Sequence, residues 1–155
     1  MATFVGSFVN KVDRKGRVSV PARFRSAVAG TAIVVSPSFD LGAIDACDHE
    51  RITLVAAGLD DPDLYNAEQR ELASLILART EELPFDNEGR VLLPKSLIEL
   101  AEIGEHAAFV GVGPTFQVWS PERYGVYESQ ALERAKSQSV NLRMLPLPRA
   151  RDRDR

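Results

Sequence analysis

The sequence predicts an α+β fold, mainly β, built from two tandem copies of one small unit. Three observations lead there. The stretch Asp13-Arg14-Lys15-Gly16-Arg17-Val18-Ser19-Val20-Pro21 returns 73 residues later as Asp86-Asn87-Glu88-Gly89-Arg90-Val91-Leu92-Leu93-Pro94, and self-similarity at a fixed offset marks a duplicated unit. Each motif lies between short β-forming runs and leads into a segment headed by proline, where a helix can begin. The length, 155 residues with 45% hydrophobic content, suits one ordinary domain or two very small ones. Units of about 60 residues bury only about 60% of their unfolded surface, so the copies must lean on each other or on neighbouring subunits. Oligomerisation is therefore expected.

Taken in order, Thr3 to Val9 alternates β-forming residues and reads as a strand, as does Arg17 to Val20, with Asp-x-x-Gly between them. This predicts a hairpin whose Gly16 takes a backbone angle other residues resist, while the Asp13 side chain bonds the amides just ahead of it. A short helix is expected from Pro21 to Ala29, ended by Gly30, with Phe24 and Val28 facing inward. Ala32 to Val35 and Ala43 to Cys47 read as strands joined by the turn-rich Ser36 to Gly42, and Asp48 as the N-cap of a further helix. Asp61-Pro62 signals the start of a connector helix of roughly four to five turns, carrying Tyr65, Leu72, Leu75, Ile76 and Arg79 at helical spacing.

The second copy repeats the order. Strands are expected at Leu83 to Phe85, Arg90 to Leu93, Ala107 to Val112 and Thr115 to Trp119, with a helix from Pro94 closed by Gly104. Ser120-Pro121 opens a last helix with the apolar stripe Tyr124, Tyr127, Ala131 and Ala135. Pro146 to Arg155 mixes proline with an Arg-Asp repeat and is expected to be disordered.

The net charge is −3, but it is unevenly placed. Residues 1–25 hold Lys11, Arg14, Lys15, Arg17, Arg23 and Arg25 against Asp13 alone, whereas residues 40–71 hold nine acids against Arg51 and Arg70. Six cations around one turn suggest a cationic working face on an acidic body; the acidic run reads as solvated surface. No run of about 18 apolar residues and no signal-peptide pattern occur, so a membrane span or export is not supported. The lone Cys47 excludes an intrachain disulfide, and with only His49 and His106 for company no zinc spacing arises. Cys47 reads as a small buried hydrophobe.

Catalysis finds no residues. A glycine loop for nucleotides is missing, His49 and His106 adjoin no serine or cysteine in a recognisable arrangement, and no carboxylate pair stands out. Catalytic residues, metal, cofactor and small-molecule ligand are all expected to be none. Nucleic-acid binding does have residues, because a two-stranded ribbon fits the DNA major groove. Arg17 can pair bidentately with guanine O6 and N7, while Lys15, Lys11 and Arg14 suit phosphates. Arg17 and Arg90 can equally be structural, each tied to Asp13 or Asp86 across its own turn; that reading is the stronger for Arg90, which persists where Lys15 has become Glu88.

Phe4 to Arg25 resembles the start of the MraZ family, and Asp86 to Pro94 resembles its second motif; with the connector and Trp119-Ser120-Pro121 the resemblance spans most of the chain. It implies two tandem AbrB-like β-barrel or swapped-hairpin units with short helices and a connector helix. The boundaries expected are 5–53 for a first, DNA-binding unit, 54–82 for the connector, 83–126 for the second unit and 127–155 for the last helix and tail. The resemblance also implies a sequence-specific DNA-binding transcriptional repressor of the bacterial division and cell-wall gene cluster, acting on short repeated promoter boxes. Its partners would be double-stranded DNA and itself, as a ring-shaped homo-oligomer in the cytoplasm at the nucleoid. The DNA-contacting set is Lys11, Arg14, Lys15, Arg17 and Arg23, with Arg17 and Lys15 foremost; Asp13, Gly16, Asp86, Gly89 and Arg90 are the structural turn residues. Acidic Glu88 assigns the second copy to assembly.

Two other classes compete. In one, the chain is a homo-oligomeric interaction scaffold that does not bind DNA and whose acidic region recruits a basic partner. In the other it is an antitoxin-like partner of a toxin, against which two complete copies weigh, since such proteins usually carry one.

Overall fold

The structure, a computed structural model, describes residues 2–148. The Arg-Asp repeat of the expected disordered tail lies outside the described residues. Two compact units form, one ending at Pro121 and the other beginning at Glu122.

The first unit holds both copies of the motif, and the copies are interleaved. In chain order it runs β1 (Ser7–Lys11), β2 (Arg17–Ser19), α1 (Ala22–Ala27), β3 (Ala32–Pro37), β4 (Ile44–Cys47), α2 (His49–Gly58), α3 (Ala67–Ala78), β5 (Glu81–Pro84), β6 (Arg90–Leu92), α4 (Lys95–Ala101), β7 (His106–Gly111) and β8 (Phe116–Trp119). One antiparallel six-stranded sheet has the order β1-β7-β8-β4-β3-β5, and β2 pairs with β6 in a separate ribbon. Each copy thus lends its first strand to the other: Phe8 lies opposite Phe109, and Leu83 opposite Ile33. The exchange is symmetric about β4 and β8, where Asp45 faces Gln117. The sheets do not close into a barrel.

This swap corrects the simple hairpin. After the single bridge between Val12 and Val18, β1 leaves for the large sheet and β2 turns to its counterpart from the second copy, with Val18 opposite Val91. The reason is burial. Val18 and Val91 are both sealed in the core, and a ribbon made across the copies places both on one inner face, which alternation allows only in this register.

The core lies between the ribbon, α1 and α4 on one side and the sheet on the other. Phe4, Phe24 and Phe116 form its centre, with ring centroids 5.5 Å apart for Phe4 and Phe24 and 4.9 Å for each of these with Phe116. Such tilted and edge-on pairs add about 0.5–1.5 kcal/mol each beyond the area they bury. Phe24 and Val28 face inward as the sequence predicts. Strand β3 is buried along nearly its whole length because both faces are covered: Ile33 and Val35 join the core, while α2 and α3 lie against its other face.

Several boundaries differ from expectation. The N-terminal strand starts at Ser7, and Phe4 makes only an isolated bridge to Gly113. The connector is two helices. Asp48 caps α2, its carboxylate accepting from the Arg51 amide at 3.0 Å, but Asp61-Pro62 forms a turn, and α3 begins after Asn66. There a reciprocal capping box wins, Asn66 accepting from the Gln69 amide at 2.8 Å while Gln69 accepts from the Asn66 amide at 2.9 Å. Helix α4 ends on left-handed Glu102, φ 54°, not at Gly104. The Ile103 amide reaches back to the Ile98 carbonyl at 3.0 Å, and burial of Ile103 supplies the apolar contact that often accompanies this cap.

The second unit carries α5 (Pro121–Ser137) and a 3₁₀ turn (Leu142–Met144). Tyr124 and Tyr127 sit side by side on α5, ring centroids 6.2 Å apart, as the stripe predicts.

Candidate nucleic-acid interface

The two Asp-x-x-Gly turns have the same internal bonding. In the first, Asp13 accepts through Oδ1 from the Lys15 and Arg17 amides at 2.9 and 2.8 Å and through Oδ2 from Arg17 Nε at 2.7 Å. In the second, Asp86 accepts from the Glu88 and Arg90 amides at 2.8 and 2.9 Å and from Arg90 Nε at 2.9 Å. The following arginine's amide does most to hold each carboxyl below its usual range, aided by that arginine's side chain and opposed by desolvation. Gly16 and Gly89 adopt φ of +91° and +75°, angles open to glycine at little cost.

The turns also clasp each other. The Leu93 amide donates to the Gly16 carbonyl at 2.9 Å and the Val20 amide to the Gly89 carbonyl at 3.2 Å. Because β2 and β6 run antiparallel, the first turn sits at one end of the ribbon and the second at the other. Arg17 and Ser19 alternate with buried Val18, and Arg90 and Leu92 with buried Val91, so these four share the ribbon's outward face. Arg17 stands opposite Leu92, and Ser19 opposite Arg90.

Equal frames carry unequal charge. At the first end, Arg14 and Lys15 are exposed, and among the described residues neither makes an ion pair. Arg17 spends Nε on Asp13 and keeps both terminal nitrogens without a hydrogen bond among the described residues. An arginine held by Nε and open at its Nη pair is a fork whose direction is already fixed, the arrangement that bidentate recognition of a base edge needs. At the second end, Arg90 is engaged by Asp86 at 2.9 Å and approached by Glu88 at 3.6 Å, and Asn87 and Glu88 offer no cation. The tie to aspartate is therefore common to both arginines and does not by itself separate a structural from a functional role.

The remaining expected residues fall in two places. Lys11 ends β1, opposite His106. Arg23 is on α1 with its guanidinium 5.9 Å over the Phe8 ring, and α1 belongs to the second end: Arg25 lies across Gly89 with its Nε buried and unpartnered. The structure thus brings Arg14, Lys15 and Arg17 together and sets Arg23 apart from the groove beside the first turn. In its place it adds Lys95, the first residue of α4, which lines that groove with Arg14 and Lys15. Lys95 is 80 residues from Lys15 in sequence; its signal was the strand exchange, which delivers each copy's helix to the other copy's turn.

The acidic 40–71 segment is only partly surface. Asp48 is buried as the α2 cap, and burial, with a smaller push from Asp40, raises the Asp45 carboxyl to about 6. Cys47 is buried, its thiol raised to about 11 chiefly by that burial. No helix among the described residues is long and apolar enough to cross a membrane.

Sequence comparison agrees with the motif. The family described as "MraZ protein, putative antitoxin-like" matches residues 76–145. A protein of Rhodospirillum rubrum named transcriptional regulator MraZ is 45% identical over 129 residues, covering 78% of this chain and 81% of its own. Proteins of the same name from Parvibaculum lavamentivorans, 40% identical over 138 residues with 86% of each chain covered, and from Pelagibacter ubique, 35% identical over 143 residues with 90% and 92% covered, are similar over nearly the whole length. These relatives are named as regulators and not as enzymes. The chain belongs to the MraZ family.

Proposed function

We propose that the protein is a sequence-specific DNA-binding transcriptional regulator that reads operator bases with Arg17 and holds the phosphates beside them with Arg14, Lys15 and Lys11. The observation that carries this reading is the charge asymmetry of a symmetric frame: two turns with the same internal bonding, one with an open arginine fork beside free cations, the other with its arginine between two carboxylates. Arg23 joins the contact only through long-range attraction. The names of the relatives support the regulator class.

The acidic turn of the second copy serves assembly, in a ring of identical subunits in the bacterial cytoplasm at the nucleoid. A ring supplies what one small contact lacks. A few phosphate contacts give about 10⁻⁴ to 10⁻⁶ M at physiological salt, and joining several tips whose spacing matches repeated boxes adds about 10² to 10⁴. Boxes about 10 base pairs apart present equivalent groove faces on one side of the duplex. The output is repression of the division and cell-wall cluster that contains the gene itself. The domain limits 5–53, 54–82, 83–126 and 127–155 are working divisions of function, since one core serves both repeats. A mobility shift with the DNA immediately upstream of the gene tests the reading: retardation at nanomolar protein that a scrambled duplex does not compete supports it, and retardation equal for both duplexes refutes it.

A further inference from the structure

The groove that Lys95 lines breaks the symmetry between the two ends of the ribbon. It has a volume of about 630 Å³, with Leu92, Leu93, Pro94 and Ile98 as an apolar floor and Arg14, Lys15 and Lys95 as a rim. The 73-residue offset pairs Ile98 with Arg25 and Lys95 with Ala22. At the second end Arg25 lies over Gly89 and fills the equivalent space; at the first, the shorter Ile98 comes only within 3.2 Å of where a Gly16 side chain would start and leaves the space open. Lys95 is exposed, and no carboxylate lies within ion-pair distance of it among the described residues.

We infer that this open groove is a second part of the nucleic-acid contact: it seats one stretch of the sugar–phosphate backbone beside the bases read by Arg17, with Lys95 as a phosphate-binding residue. The inference rests on the DNA-binding reading of the first turn. Three cations with no internal partner form a rim complementary to a polyanion. An apolar floor between them suits the deoxyribose, the uncharged part of that backbone, and Leu92 is half-exposed directly opposite Arg17 across the ribbon. Charge at this end comes from both copies, Arg14 and Lys15 from the first and Lys95 from the second. The second copy, whose own turn is acidic, would thus contribute to DNA binding through the strand exchange.

The test uses the full chain, a labelled upstream duplex and a scrambled duplex of equal length, with affinity followed by fluorescence anisotropy from 50 to 200 mM salt. Lys95→Ala should reduce the slope of log affinity against log salt by about 0.9, one phosphate contact, for each tip in contact, for both duplexes and with particle mass unchanged. The wild type would then lose about threefold more affinity than the variant across that salt range for each such tip. Ala22→Lys, which adds a cation at the symmetric position of the second end, should leave both affinities within twofold. An unchanged slope for Lys95→Ala, or a gain for Ala22→Lys equal to the Lys95→Ala loss, overturns the inference while leaving the Arg17 reading intact if Arg17→Ala still abolishes discrimination. A smaller particle for Lys95→Ala overturns it by making the groove the seat of a neighbouring copy. If the wild type binds neither duplex, the DNA-binding reading itself fails and the inference with it.

Discussion

Replacing Arg17 separates reading from attraction. Its Nε is fixed 2.7 Å from Asp13 and its terminal pair is open, so a productive contact is one bidentate bond to a guanine edge, worth about 1–3 kcal/mol of discrimination. At about 1.4 kcal/mol per factor of ten, Arg17→Ala should lower operator affinity about 5- to 150-fold for each tip in contact, and the square of that factor where two tips engage. Arg17→Lys keeps the charge but not the fork. It should therefore lose nearly the same discrimination between operator and scrambled duplex while leaving the salt slope unchanged. Arg90→Ala, on the same outward face but held between Asp86 and Glu88, should change neither quantity by more than about twofold, a small fraction of one such contact. Anisotropy titrations of the three variants, with particle mass measured alongside, give the comparison. The reasoning fails if Arg17→Lys retains full discrimination, or if Arg17→Ala disperses the oligomer, which would make Arg17 a residue of assembly.

Three stability predictions follow from the core and its neighbours. Phe116→Ala removes the ring that touches Phe4, Phe24 and Phe109 and should cost about 3–5 kcal/mol in urea unfolding, a large part of the 5–15 kcal/mol typical of a domain. Gly16→Ala places a methyl group 3.2 Å from the Leu93 carbonyl oxygen at φ +91°, so it should destabilise by about 1–2 kcal/mol from backbone strain and weaken DNA binding by displacing the tip. Asp45 gives a pH dependence. Its folded-state value of about 6 lies above the ordinary 3.8, so the folded state binds the proton more tightly. That contribution is complete below about pH 4 and is lost as pH rises through about 6. Asp45→Asn should therefore stabilise at pH 7.5, by about 1–2 kcal/mol after allowance for partial solvent access. The gain should vanish at pH 4, and a melting-temperature difference that is the same at both pH values would contradict this.

Local chemistry was legible where the bonding is local. The Asp-x-x-Gly turns, the Asp48 cap and the inward Phe24 and Val28 follow from residue type and spacing within a few positions, and all are present. Helix α3 starts later than expected because two cap signals compete five residues apart, and Asn66 with Gln69 satisfies two amides where Asp61 opens only a turn. The Glu102 cap escaped because glycine is the default there, yet a buried Ile103 made the left-handed cap favourable without it. The larger loss was at the site. Arg23 is near the first turn in sequence, and proximity along the chain suggests one cationic cluster. The strand exchange sends α1 to the second turn and α4 to the first, so Arg23 departs and Lys95 arrives. Offset alignment of the two copies carries this information, since it pairs Lys15 with Glu88 and Ile98 with Arg25, but only once the copies are known to be interleaved.

On the proposed reading, the position of charge on a symmetric ribbon, and not total charge, decides where DNA binds. Exchanging the two tips in one chain, Lys15→Glu with Glu88→Lys, leaves the net charge at −3 and the turn bonding through Asp13 and Asp86 untouched. Operator affinity at 100 mM salt should fall by at least about tenfold, one lost phosphate contact plus a new repulsion, with the particle mass preserved. Affinity equal to that of the wild type would contradict the account.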